Sequence, residues 1–188
     1  MTREFADIGA FLKFMAGATV KIDNAVYLGL HAAGQIVQEE AHSELGHYQD
    51  RAGPFPEWPE LTDQTKRARV EHGWTENDPL LRSGALADHI ELSVSGHRAA
   101  VGVPSETVGD GTSADPIRDI GDIAVDMELG TARIPPRSFL GRAWFVKGPE
   151  ASEAAAWPVV AALAGLPIKV SAAVRERAAA DSVYDIPF

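Results

Sequence analysis

The side chains whose types suit chemistry gather first on one predicted helix. Glu39-x-x-His42 and Glu44-x-x-His47 each set a carboxylate and an imidazole three residues apart, the spacing that puts both on one helical face and that di-iron bundles use to ligate metal. Both copies lie on the same helix, and no carboxylates from partner helices stand out to complete a site, so a solvated helix surface accounts for them. His31, His72, His89 and His97 are scattered and form no His-Glu-x-x-His zinc pattern. Ser83 stands in Arg-Ser-Gly, without the Gly-x-Ser-x-Gly turn that exposes a hydrolase nucleophile. Gly109-Asp-Gly111 lacks the third glycine and the Lys-Ser/Thr pair of phosphate loops. Asp110, Asp115, Asp119 and Asp122 miss the alternating spacing of a calcium loop and read as a solvated acidic segment. The chain has no cysteine, which removes disulfides, thiolate metal sites and cysteine nucleophiles together. These residues predict a protein that is not an enzyme, with no catalytic, cofactor-binding or metal-binding residues.

Composition points to a soluble globular class. The 188 residues are 45% hydrophobic and 23% charged, with no apolar run near the roughly 18 residues a membrane span needs. Arg3 is followed by Glu4 and Asp7, and Lys13 interrupts the stretch from Phe11 to Val20, so a cleaved secretory signal is not expected and synthesis is placed in the cytoplasm. The formal charge of −10 disfavours a surface that grips nucleic-acid phosphate, although a duplex can pass such a surface without sticking.

Periodicity supplies the scaffold on which these side chains are mounted. Phe5, Ile8, Phe11, Leu12 and Met15 fit one face of a short docking helix over residues 1–19, with Gly17 as its stop. A longer helix is expected from Asp23 to Tyr48, its stripe formed by Val26, Leu30, Ala33, Val37 and Ala41. Residues 49–79 then carry Pro54, Pro56 and Pro59 with Phe55 and Trp58, which forbids a regular central strand; Thr62 caps a short helix over 63–72. A connection this long is usually functional or ordered against a partner, so it reads as a partner-contacting arm. A short turn of helix at 84–88 precedes a hairpin, with Ile90, Leu92 and Val94 on one strand and Ala100, Val101 and Val103 on the other. Residues 104–121 read as an exposed loop, and Ile123 to Leu129 as a third strand.

That strand leads into Met127-Glu-Leu-Gly-Thr-Ala-Arg-Ile-Pro-Pro-Arg-Ser-Phe-Leu140. Gly130 tolerates a turn, while Pro135 and Pro136 fix φ and hold Ile134 extended. Arg133 and Arg137 frame this stiff segment, and Phe139 with Leu140 gives an apolar anchor leading into Ala143, Trp144 and Val146. Phe139 to Val146 is helix or strand, broken by Gly148-Pro149. Alanine-rich helical runs over 150–164 and 168–181 end in Tyr184-Asp-Ile-Pro-Phe188. Three parts result: a docking helix (1–19), an α+β core with its arm at 49–79 (20–147), and an alanine-rich appendage (148–188).

The order Phe55-Pro-Glu-Trp58 with Leu61, Thr62 and Thr65, then Leu80-Leu81-x-Ser-Gly-Ala-Leu86-x-x-x-Ile90, Val101-Gly102, Met127-Glu128-Leu-Gly-Thr131 and Ile134-Pro-Pro-Arg-Ser-Phe-Leu140 resembles the phage virion-morphogenesis and tail-completion family of long-tailed phages, over roughly residues 20–147. The chain departs from that pattern at Ser83, at Met127 and at Ser138, where a second proline usually stands. The resemblance implies an α+β fold with a small antiparallel sheet flanked by a long N-terminal helix and C-terminal helices, and with a long extended loop. It implies a structural virion protein of the neck or tail, assembled in the host cytoplasm. The expected partners are further copies of itself in a ring of six or twelve subunits and the neighbouring connector and tail-tube or tail-terminator proteins. DNA passes through the lumen without specific binding, past the acidic 110–122 loop or the Glu39 to Glu44 end, and no membrane is involved. Phe55, Trp58, Leu61, Thr62, Thr65, Arg133 and Arg137 are the expected subunit-interface residues. The alternatives are a metal-dependent hydrolase using the Glu/His helix and a bacterial adaptor-type binding module.

Overall fold

The computed structural model describes residues 4–112 and 115–168. Its elements are α1 (Ile8–Glu44), α2 (Asp63–Glu71), α3 (Ala85–Asp88), β1 (Glu91–Ser95), β2 (Arg98–Gly102), β3 (Thr107–Val108), β4 (Arg118–Asp119), α4 (Ile120–Leu129) and α5 (Leu140–Ala164). The class is α+β, as expected. β1 and β2 form one two-stranded sheet and β3 and β4 another, the latter antiparallel with Thr107 opposite Asp119 and Val108 opposite Arg118. The helical run expected from residue 168 to 181 and the Tyr184 to Phe188 segment lie, from residue 169 on, outside the described residues.

Two compact units divide the chain. Among the described residues, one is formed by 4–33, 94–99 and 151–168, the other by 34–93, 100–112 and 115–150. In the first unit small residues set the packing. Ala25, Ala151 and Ala161 are fully buried, and Gly29 lies so close to α5 that an added Cβ would sit 2.3 Å from the Ala155 carbonyl oxygen. His97, in the β-hairpin turn, approaches Asp23 at 3.4 Å.

The second unit holds the larger core, with Val37, Leu45, Trp58, Leu86, Ile90, Ile120 and Phe139 buried. The Gln38 side chain donates to the Ile90 carbonyl at 2.7 Å, and the Gly46 amide to the Pro79 carbonyl at 2.8 Å. Glu44, 1% exposed, accepts from Arg142 at 2.6 Å.

The sheet-to-helix hinge expected at Met127–Leu140 is instead a helix-to-helix clasp. Residues 120–129 are helix rather than strand, because Asp119 caps them by accepting from the Gly121 and Asp122 amides, and because Ile120 and Ala124 fall on one buried face. The alternation of Ile123, Val125, Met127 and Leu129 does not set the burial, since Val125 and Leu129 are exposed. Near its C-terminal end α4 presents Glu128, whose carboxylate accepts from the Ser138 hydroxyl and from the amides of Phe139, Leu140 and Gly141 at 2.9, 3.0 and 2.9 Å. Those three amides are among the ones that the start of α5 leaves without helical partners, and a negative charge there also meets the positive end of the helix dipole. Gly130, at φ +74°, makes the reversal possible; a Cβ there would lie 2.8 Å from the Pro136 nitrogen.

Two expected boundaries fall inside continuous helices. Gly17 does not stop α1, which runs for 37 residues from an Asp7 carboxylate that accepts the Ala10 amide at 2.7 Å; an isolated helical glycine costs only about 1 kcal/mol. Likewise α5 passes through Gly148-Pro149 and Pro158, since burial of Ala143, Gly148, Ala151, Pro158 and Ala161 outweighs the two amides that proline removes.

Replacing Glu128 by Ala strands amides at the start of α5, and we expect a loss of about 2–4 kcal/mol in urea unfolding; Glu128→Gln, which keeps an acceptor but not the charge, loses less. Glu44 predicts a pH dependence. Burial, opposed by Arg142, pushes its carboxyl up from 4.5 to about 7, so the folded chain holds this proton more tightly than the unfolded chain. That contribution to stability is complete below pH 4.5 and is lost as pH rises through about 7. Urea midpoints of the wild type carry this decline between pH 4.5 and about 7, with a slope of at most about 1.4 kcal/mol per pH unit from one proton, and Glu44→Gln removes it.

Candidate functional site

The second unit contains a cavity of about 800 Å³, within the size range of ligand pockets. One wall comes from the arm and α2: Leu61, Thr62 and Thr65 with Arg69. α2 is held by its cap, the Thr62 hydroxyl accepting from the Thr65 amide at 3.3 Å. Opposite chain segments contribute Trp74, Leu80, Arg82 and Leu86, then Val108, Arg118, Ile120 and Met127 from β3 to α4, and finally Arg133, Ile134 and Arg137 from the clasp. Leu80 adopts φ +60°, a conformation that costs a branched side chain and is held only where the surroundings fix it.

Five arginines therefore face one space, in a chain of net charge −10. Arg82 is paired with Asp115 at 2.5 Å and lies 4.6 Å from the centre of the Trp74 ring. Arg118 pairs with Asp126 at 3.1 Å. The other three, Arg69, Arg133 and Arg137, form no ion pair among the described residues. Arg69, 7% exposed, donates to the carbonyls of Thr75 and Asp78 at 3.3 and 2.7 Å. Arg137, 5% exposed, donates to the Pro59 carbonyl at 2.7 Å, and its buried Nε has no hydrogen-bond partner. Burial lowers the pKa of both guanidiniums from their ordinary value, with nearby Asp78 opposing the shift at Arg69 and Tyr48 opposing it at Arg137. Both nonetheless stay charged at neutral pH, because arginine has far to fall before it loses its proton. Their excess charge has only dipoles, not carboxylates, as hydrogen-bond partners.

Of the seven residues expected at a subunit interface, five line this cavity: Leu61, Thr62, Thr65, Arg133 and Arg137. Phe55 does not; it is half-buried, edge-on to Phe145 at 6.1 Å. Trp58 does not either. At 5% exposure it belongs to the core of its own unit, its amide bonded to the Gln49 carbonyl at 2.9 Å, which corrects the expectation that it is offered to another subunit. Arg137 is likewise spent mainly within the chain, tying the arm to the clasp through Pro59. The arm is thus packed, with the Leu61 amide donating to the Tyr48 hydroxyl at 3.0 Å and that hydroxyl to Asn77 at 2.6 Å.

Sequence reasoning missed Arg69, Arg82, Arg118 and Trp74. The available signal was the excess of arginine over lysine in segments flanking the two motifs, Arg67-Ala-Arg69 and Leu81-Arg82. The two Glu/His pairs of α1 build nothing further: Glu39, His42 and His47 are exposed, and among the described residues no three His, Asp or Glu side chains are placed to hold a metal ion. No helix among them is long and apolar enough to cross a membrane. Comparison with protein families, with curated proteins and with solved structures finds no match.

Arg137→Ala is expected to cost about 1–3 kcal/mol in urea unfolding, because the Pro59 carbonyl loses its donor and the arm its tether. Faster proteolytic cleavage within residues 49–62 than in the wild type checks that the arm is what loosens.

Proposed function

We propose that this protein is a structural virion subunit of the phage head-tail junction, whose copies close into a ring of six or twelve between connector and tail tube and let DNA pass. The observation that carries the assembly half of this reading is the apolar surface of the first unit. Ile8, Phe11, Leu12, Phe14, Met15 and Val20 on α1, with Trp157, Val160 and Leu163 on α5 and Leu166 just beyond it, are all at least 40% exposed. Scattered apolar residues on a monomer need no explanation, but so many on two helices of one small unit mark a surface that association covers. A ring buries such a surface on every copy when the contact is heterologous and its rotation closes.

The phage setting rests on the ordered motifs between Phe55 and Leu140, and the geometry gives those motifs physical work. Glu128, Gly130 and the Ser138-Phe139-Leu140 run build the clasp, while Arg137 joins it to the arm that carries Phe55 and Trp58. A chain of net charge −10 suits a conduit that must not retain phosphate. The neck or tail of the virion, reached from the host cytoplasm during assembly, is the corresponding location.

Light scattering on the purified chain, with negative-stain imaging, tests this: rings are expected, and a monodisperse monomer at about 50 μM overturns the reading. Leu12→Lys and Leu163→Lys, at positions 60% and 69% exposed, should abolish rings while changing urea stability of the subunit by no more than about 0.5 kcal/mol.

A further inference from the structure

The excess positive charge of the cavity calls for an anionic occupant, and its wall calls for an apolar one. Arg69, Arg133 and Arg137 form no ion pair among the described residues, although Asp78 lies near Arg69, and Arg137 keeps a buried Nε without an acceptor. An unpartnered donor on a nearly buried guanidinium is costly unless something arrives to accept from it. Between these charges lie Leu61, Leu80, Leu86, Ile120, Met127 and Ile134. A simple anion such as free phosphate leaves that apolar surface wet, whereas a peptide bearing a carboxylate next to bulky apolar side chains satisfies both.

The chain itself contains such a peptide. Asp181-Ser-Val-Tyr-Asp-Ile-Pro-Phe188 has two carboxylates, no basic residue, and Tyr184, Ile186 and Phe188 at every second position. We propose that the cavity is the receptor for the 181–188 segment of a second copy, with Asp185 meeting the Arg133 and Arg137 guanidiniums and the alternate apolar side chains filling the space between α2, α3 and α4. This rests on the ring reading and deepens it, since a segment donated from each subunit to the next is a heterologous contact of the kind that closes rings. A carboxylate held by two guanidiniums in a partly dry site is a strong and directional contact.

The test uses the full chain with a photo-crosslinking phenylalanine derivative at Tyr184, prepared as a mixture of isotopically heavy and light protein. Crosslinks from heavy to light chains at Leu61, Leu86 or Met127 are expected. Arg133 is exposed and can be reversed without disturbing the core, so Arg133→Glu and Asp185→Lys should each lower that crosslink at least fivefold, and the two together should restore it. Crosslinks confined to one chain, crosslinks to other surfaces, or a yield indifferent to both charge reversals overturn the proposal. If light scattering still finds rings in that case, the ring reading stands without it; a chain that scatters as a monomer overturns both.

Discussion

A single carboxylate at the end of one helix starts the next. Glu128 supplies the acceptors for three amides and a hydroxyl at the beginning of α5, and the rest of the second unit is arranged around that fact. Because the amide donors and the acceptor are eleven to thirteen residues apart in sequence, the chain between them must reverse sharply, which only the positive φ of Gly130 allows without collision. The reversal is further fixed by the Arg137 amide donating to the Met127 carbonyl at 2.7 Å and by Thr131, whose hydroxyl accepts from the amides of Arg133 and Ile134. With the loop so constrained, Arg137 has one direction in which to point, and the Pro59 carbonyl lies there.

How much of this was legible depended on whether the signal was local. The cap at Thr62, the hairpin, and the rigid turn between Gly130 and Pro136 are each written in a few adjacent residues, and each is found. Helix α4 was misread because its four alternating apolar residues suit a strand; the competing signal, Asp119 as a cap with Ile120, Ile123 and Ala124 at helical spacing, was equally local and decides the matter. The length of α1 could not be read from Gly17, an exposed glycine that costs too little to stop a helix, nor that of α5 from Pro158, which is carried through the helix by its burial.

Only part of the cavity's lining was legible in the sequence, and its form was not. Five residues chosen from two separate motifs converge on one cavity, which results from Arg137 bridging the arm and the clasp. Sequence gives no measure of depth, however, so the large aromatic of the arm was assigned to the outside when it is the core of its own unit. Nor does a net charge reveal its own distribution: the strongly acidic chain conceals a concave surface lined by five arginines, the two buried ones donating to carbonyls rather than to carboxylates.

The close approach of Gly29 to the Ala155 carbonyl bears on how this protein can vary. Where two helices are separated by side chains, a lineage can drift by trading a larger residue on one for a smaller residue on the other. Here main chain meets main chain, so no compensating exchange exists and a single added methyl forces the pair apart. The outward faces of the same helices carry no such restriction within the subunit, and Leu12, Trp157 and Leu163 are free to change with whatever they meet. One unit thus combines a fixed internal spacing with an exterior whose side chains can change without altering how it folds.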